Sequence, residues 1–283
     1  MASTSNASDA DVILESSDET QFKVHKHILS DASSVFEAMF DLPPETSNVA
    51  EGSLPIIPVT ESTLVLDQLL RFCYPSLHGS VSDLHTLHLL FTAADKHDMK
   101  GVTSQLAYIL RWQFTDKEPR RAYAIACMFS LWPEAKLAGR LTLSHPVPGP
   151  SLQEYDLLPA SMYHKLVVYR QKCIDVIDPI LEDWMDELGM DGDPWIGYDC
   201  GKCVKPNGAM SPSQVFWFYD HLARTKAAFV AKPTGASVSA TKISDETVSR
   251  YCRRKAPMRL VEFGERLAVV LDQKVSEIPL ILE

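Results

Sequence analysis

The chain has 283 residues, 46% of them hydrophobic, and its 27 basic and 37 acidic side chains leave a formal net charge of -10. That length supports one large domain or two ordinary ones, and two are expected. The acidic balance argues against nucleic-acid binding, which needs a basic field, and no apolar run reaches the roughly 18 residues that span a bilayer.

The first ten residues, MASTSNASDA, have neither the basic start nor the apolar segment of a secretory signal, so residues 1–10 are expected to be a disordered tail. The expected setting is the cytosol or nucleus, where six dispersed cysteines serve as thiols or metal ligands rather than disulfides. Residues 11–15, DVILE, then read as a strand, and the polar turn SSDET leads to a second at 21–25. In FKVHKHILSDASSVFEAMF the rhythm changes: Phe22 and Val24 alternate with polar neighbours, whereas Ile28, Leu29, Val35, Phe36, Met39 and Phe40 recur at helical spacing. Two short helices are predicted, about 26–30 and 33–40, with Ser30 and Ser33 or Ser34 as caps.

A proline-containing loop at 41–53 precedes a third strand, LPIIPV at 54–59, whose two prolines confine it to a sheet edge or a very short pairing. Helices follow at about 61–73, 83–97 and 100–113. Their inward stripes are Leu66, Leu69, Leu70 and Cys73, then Leu84, Leu87, Phe91 and Ala94, then Leu106, Ile109 and Leu110, and Tyr74–Pro75 ends the first.

The succession DVIL, FKVHKHILS, SSVFEAMF, LLRFCYP and LHLLFTAADKHDM resembles the BTB (POZ) domain, most closely that of fungal BTB proteins, over about residues 9–113. The resemblance implies an α+β domain at 11–113, a small sheet capped by helical hairpins, which accounts for the change of rhythm at His25–Lys26. It implies a non-catalytic protein-interaction module that binds another protein through the sheet edge and the groove between helices. Asp11 and Lys26 match a charged pocket near the partner groove; the plainer reading is a solvent-facing ion pair. His25 and Tyr74 join them as partner-contact candidates, although His25 reads first as a hydrogen-bonded residue at the strand–helix joint.

Two departures from the family pattern stand out. The ten polar residues before Asp11 cannot supply the exchanged helix and strand of dimeric BTB proteins, which leaves the usual homodimer in question. Where adaptors of cullin-type ubiquitin ligases tend to carry a glutamate ahead of the LL-x-AA helix, this chain has His85.

Residues 114–283 read as a mostly α-helical C-terminal domain. A helix running to the Trp132–Pro133 break resumes beyond it, and the loop HPVPGPSL occupies 145–152. A long helix is predicted at 159–187, with Tyr163, Leu166, Val167, Ile174, Ile177 and Leu181 inward. Another begins at Ser211-Pro212-Ser213-Gln214 and runs to about 230, an exposed linker covers 232–242, and helices at about 244–252 and 257–276 finish the chain.

Cys200-x-x-Cys203 has the spacing by which two thiolates grip Zn²⁺, and Cys173 and Cys252 are candidates to complete a structural site; two ordinary surface thiols are the plain alternative. His85-x-x-His88 lacks a third ligand nearby, and Asp191 and Asp193 read as a turn. Arg250, Arg253, Arg254, Lys255 and Arg259 form a basic cluster, by default a solvated helix face. No GxGxxG, GxxxxGK(S/T), GxSxG or HExxH motif occurs. The expected function is therefore a BTB scaffold or adaptor. A cullin-ligase substrate adaptor and a transcriptional regulator with a zinc-stabilised C-terminal module stay open beside it.

Overall fold

Alternation in the first two strands decides which side of the sheet is buried. In the computed structural model, β1 (Val12–Glu15) and β2 (Gln21–Val24) pair antiparallel with Val12 opposite Val24 and Leu14 opposite Phe22. All four of those side chains are buried, so a single apolar face is presented to the helices. The structure describes residues 9–42, 54–74, 77, 79–146, 149, 152–190, 216–241 and 256–282. Two units are resolved, one of Met1–Ala138 with Glu154–Leu157 and one of Gly139–Gln153 with Leu158–Glu283.

In the first unit, α1 (Lys26–Ala32) and α2 (Ser34–Asp41) follow β2. Ser33 separates them: its hydroxyl accepts from the Phe36 amide at 3.0 Å and donates to the His97 carbonyl at 2.5 Å. Ser30 does not cap, and α1 extends two residues beyond the predicted 26–30. β3 (Ile56–Pro58) pairs parallel with β1, giving the order β2-β1-β3. Its proline therefore sits on an edge, where a missing amide breaks no ladder.

α3 (Thr63–Cys73), α4 (Leu84–Lys96) and α5 (Lys100–Ile109) pack as predicted, with Leu66, Leu69, Leu70, Leu84, Leu87, Phe91, Ala94 and Leu106 buried. The predicted helix to 113 is corrected at its end. Leu110–Phe114 form a π-turn because the Thr115 amide and hydroxyl both bond the Leu110 carbonyl, at 3.0 and 2.8 Å. α6 (Pro119–Met128) follows, with proline at its first turn, where no amide partner is needed, and then α7 (Trp132–Leu141).

The described residues of the second unit are helical, and the predicted long helix at 159–187 is three. These are α8 (Ala160–Ile174), α9 (Ile177–Glu182) and α10 (Trp184–Glu187). The first break falls at Asp175 because Pro179 lacks the amide that would bond its carbonyl and the ring would clash with it. The inward stripe is also shifted. Tyr163 and Val167 are each 40% exposed, whereas Leu166, Tyr169, Arg170 and Cys173 face inward. α11 (Phe216–Ala231) and α13 (Ala256–Glu277) match predicted helices, although the Ser211–Gln214 start and the 244–252 segment lie outside the described residues.

The predicted linker at 232–242 holds a short helix, α12 (Gly235–Ser239). Its glycine permits close packing. A Cβ at Gly235 would fall 2.5 Å from the Ala268 carbonyl and from the Asp272 carboxylate, and its amide donates to that carboxylate at 2.6 Å. The core beneath is aromatic: Trp184, Phe218 and Phe263 meet with ring centroids 5.2–5.7 Å apart. Leu260, Phe263, Leu267 and Leu271 form the buried stripe of α13. Buried Arg170 has no carboxylate partner among the described residues. It donates to the Thr142 carbonyl and to the carbonyl of Ala231, the last residue of α11, where a cation suits the helix dipole.

A buried acid ties the first unit together. Glu61 Oε1 accepts from Lys96 Nζ at 2.8 Å, and His97 Nε2 lies 3.3 Å from Oε2, which has no aligned hydrogen bond. The His97 ring in turn stacks on Phe36 at 4.7 Å. Burial alone would raise the Glu61 carboxyl, but His97 and Lys96 outweigh it and hold it at about 2 against an ordinary 4.5. A lowered acid contributes stability in full above its unfolded value and loses it as pH falls through the folded one. Glu61→Gln should therefore lower unfolding free energy at neutral pH by on the order of 2–3 kcal/mol. It should also flatten the loss of stability between about pH 4.5 and 2, as urea denaturation across that range would measure.

Candidate functional site

Four of the residues singled out in the sequence come together where β1 begins, β2 ends and α1 starts. Asp11 opens the sheet through its amide, which donates to the Val24 carbonyl at 3.2 Å. Its carboxylate accepts from the backbone amide of Lys26 at 2.7 Å, so it caps the first turn of α1 instead of pairing with the lysine ammonium. The Lys26 ammonium lies 5.7 Å from the centroid of the Phe40 ring, a cation–π contact. A solvent-facing Asp11–Lys26 ion pair is thus replaced by two separate interactions.

His25 sits at the joint with extended backbone dihedrals of -104° and 123°. Its amide donates to the Tyr74 hydroxyl at 2.9 Å, and its Nδ1 lies 3.2 Å from the same oxygen. Nε2 meets Asp9 Oδ1 at 3.2 Å, which lowers the Asp9 carboxyl from its ordinary value. Burial raises the Tyr74 phenol, with the His25 amide acting against it. Tyr74 thereby links the end of α3 to the strand–helix joint, and His25 is a hydrogen-bonded structural residue with a partly accessible ring. The His27 ring, edge-on at 5.5 Å, extends the surface outward.

His85 stands elsewhere, exposed in the first turn of α4. There Asp83 caps the helix by accepting from the Thr86 amide at 2.8 Å, and this bond, with that from Ser82, keeps its carboxyl at about 2. His88 is half-buried, and burial lowers its imidazole. Cys200, Cys203 and Cys252 lie outside the described residues, as do the 250–255 basic residues, the Arg259 side chain, Asp191 and Asp193. Cys173 is buried in α8, and burial pushes its thiol up to about 11, so it is held protonated. Among the described residues no three His, Cys, Asp or Glu side chains cluster as a metal site, and no helix is long and apolar enough to cross a membrane.

Sequence reading missed one further feature. Tyr108 and Trp112 are 66% and 69% exposed, with ring centroids 6.1 Å apart and the Arg111 guanidinium 5.8 Å from the Trp112 ring. Tyrosine, tryptophan and arginine are the side chains that concentrate binding energy in interfaces. The one-turn spacing of Tyr108 and Trp112 was the available signal.

If Asp11 acts as a cap and Lys26 as a surface group, their substitutions should separate. Asp11→Ala should cost about 1 kcal/mol through the orphaned Lys26 amide. Lys26→Met, which keeps the aliphatic cover of Phe40, should stay within about 0.5 kcal/mol of the parent in urea denaturation. Equal losses in the two variants would contradict the assignment.

Residues 2–113 match the family model of the BTB/POZ domain. None of the curated proteins matches the chain. The matched residues contain the small mixed sheet, the α1–α2 hairpin and the helices α3 to α5 that cover it. The chain accordingly carries a BTB/POZ domain, a protein–protein interaction module, within residues 2–113.

Proposed function

We propose that the protein is a non-catalytic scaffold or adaptor whose residues 11–113 dock another protein, while residues 114–283 form a helical domain with a second recognition surface. The observation that carries the reading is the interaction module at 2–113. The partner contact is assigned to the face around Lys26, with His25, Tyr74 and the exposed Asp11. The Asp11 carboxylate is engaged by a backbone amide, so Lys26 is the group most available to an incoming acidic side chain. The exposed Tyr108–Trp112 pair supplies apolar area of the kind that anchors interfaces. Neither site implies a covalent step; recognition proceeds by burial of apolar surface with a polar rim.

Quantitative affinity capture from the source cells with the full chain tests this, comparing the parent, Lys26→Glu and a control, Lys232→Gln, on an exposed residue of the other unit. A specific protein recovered by parent and control should fall about tenfold with Lys26→Glu, equivalent to ~1.4 kcal/mol. Equal recovery of the same proteins by all three would remove the face from the reading, and enrichment of none would remove the scaffold itself.

A further inference from the structure

His221 of α11 is 3% exposed and lies one turn after Phe218 and one turn before Thr225, both of them buried. Its imidazole meets the Phe263 ring of α13 edge-on, with centroids 6.4 Å apart, and Phe263 in turn packs on Phe218 and Trp184. A titratable ring therefore stands at the seam of α11 and α13, beside the aromatic core of the second unit. Its Nδ1 is buried without a hydrogen-bond partner, and the Thr225 hydroxyl one turn on is unpartnered too. A buried polar atom left unpaired is an exception in protein interiors.

The surrounding charges offer a second imidazole proton no partner. On α11 itself Arg224 repels it, and Asp220, which attracts it, is already paired with Arg224 at 2.8 Å. The elements against α11 are α9, α12 and α13. α12 has no charged side chain, Asp178 of α9 is taken by Lys226, and Glu262 of α13 is taken by Arg266. Asp272 of α13 receives the Gly235 amide, and Glu182 and Glu265 are exposed. Burial is the largest influence on the imidazole and lowers it from its ordinary 6.5. An unpaired cation in such a core is resolved by staying neutral or by opening the structure.

We infer that the α11–α13 seam is an acid-sensitive latch: a proton on His221 is incompatible with the packed core, so mild acid parts the two helices and exposes the aromatic face of Phe218 and Phe263. A histidine held neutral when folded takes a proton more readily once the seam opens. The closed form is thus fully favoured above about 6.5 and loses stability as pH falls through that value toward the folded one. That window lies above the one in which Glu61 responds. His88 of the first unit is also lowered by burial, so a variant of His221, not the other unit, is the reference. The inference is independent of the partner-binding face, since every residue of the latch belongs to the second unit.

Hydrogen exchange of the full chain, followed by mass spectrometry at about pH 7 and about pH 5.5 and corrected for intrinsic exchange rates, tests the latch in the parent and in His221→Phe. In the parent the opening constant of peptides from α11 and α13 should rise severalfold, to a ceiling of roughly eightfold set by an unfolded imidazole at 6.5. His221→Phe keeps a ring against Phe263 and removes the proton site, so its opening constant should change by less than about twofold. NMR titration of the His221 imidazole in the parent should give a midpoint below 6.5, a readout that does not depend on how the variant packs. A midpoint at or above 6.5, no rise in the parent, or an equal rise in a folded His221→Phe variant would each overturn the inference.

Discussion

The first unit depends on one recurring constraint: a helix starts with amides that have no partner within it, and here the sheet hairpin supplies the acceptors. Asp11, at the entrance of β1, takes the Lys26 amide of α1. Asp18, in the turn between β1 and β2, takes the Thr63 amide of α3 at 2.9 Å and the Thr63 hydroxyl at 2.6 Å. Bonds from Ser16 and Thr63 hold the Asp18 carboxyl at about 2, so it stays ionised as the cap requires. The two ends of a short hairpin thus set the starting points of two helices. The apolar faces then have one way to meet, through Val12, Leu14, Phe22 and Val24 on the sheet and Leu29, Leu66 and Leu69 above it.

That arrangement also determines which charges remain for recognition. A carboxylate committed to a backbone amide is a fixed negative partner of the helix dipole, and an incoming cation would compete with the helix for it. An ammonium resting on an aromatic ring has no such commitment, because at 5.7 Å from Phe40 the cation–π contact is weak and exposed. Lys26 is thus the uncommitted charge of this face, beside the carboxylates of Asp9 and Asp11.

Much of the first unit was legible in the sequence because its signals are local. The alternation around Phe22 and Val24 and the stripes of α3 and α4 are properties of consecutive residues, and they appear in the structure as buried faces. The positions of Asp11, His25, Lys26 and Tyr74 are legible too, and so is His25 as a hydrogen-bonded residue at the joint, whereas the partners of Asp11, Lys26 and Tyr74 are not. Asp11 reaches its amide across 15 positions and Tyr74 reaches His25 across 49, distances that no spacing rule encodes. The same holds for α12, since 232–242 reads as an exposed linker until Asp272 and the Ala268 carbonyl, more than 30 residues away, are packed against Gly235. Glu61 escaped for the complementary reason: a single glutamate before a helix looks like an ordinary first-turn acid, and only the fold shows it buried between Lys96 and His97.

The second unit shows how a helical domain can hold buried charge without acidic partners. Arg170 replaces water by carbonyls at helix ends, where unpaired acceptors are available by construction, and burial lowers its guanidinium without neutralising it. The two faces of α8 therefore do opposite work. Arg170 and Cys173 join the interior, whereas His164, Val168 and Lys172 stay on the outer rows. Tyr169 lies on the border, its ring buried with the first set and lining a recess of the second. Along this helix the buried face thus takes in Arg170 in place of the predicted Tyr163 and Val167, and an apolar-walled recess bearing Lys172 lies beside it.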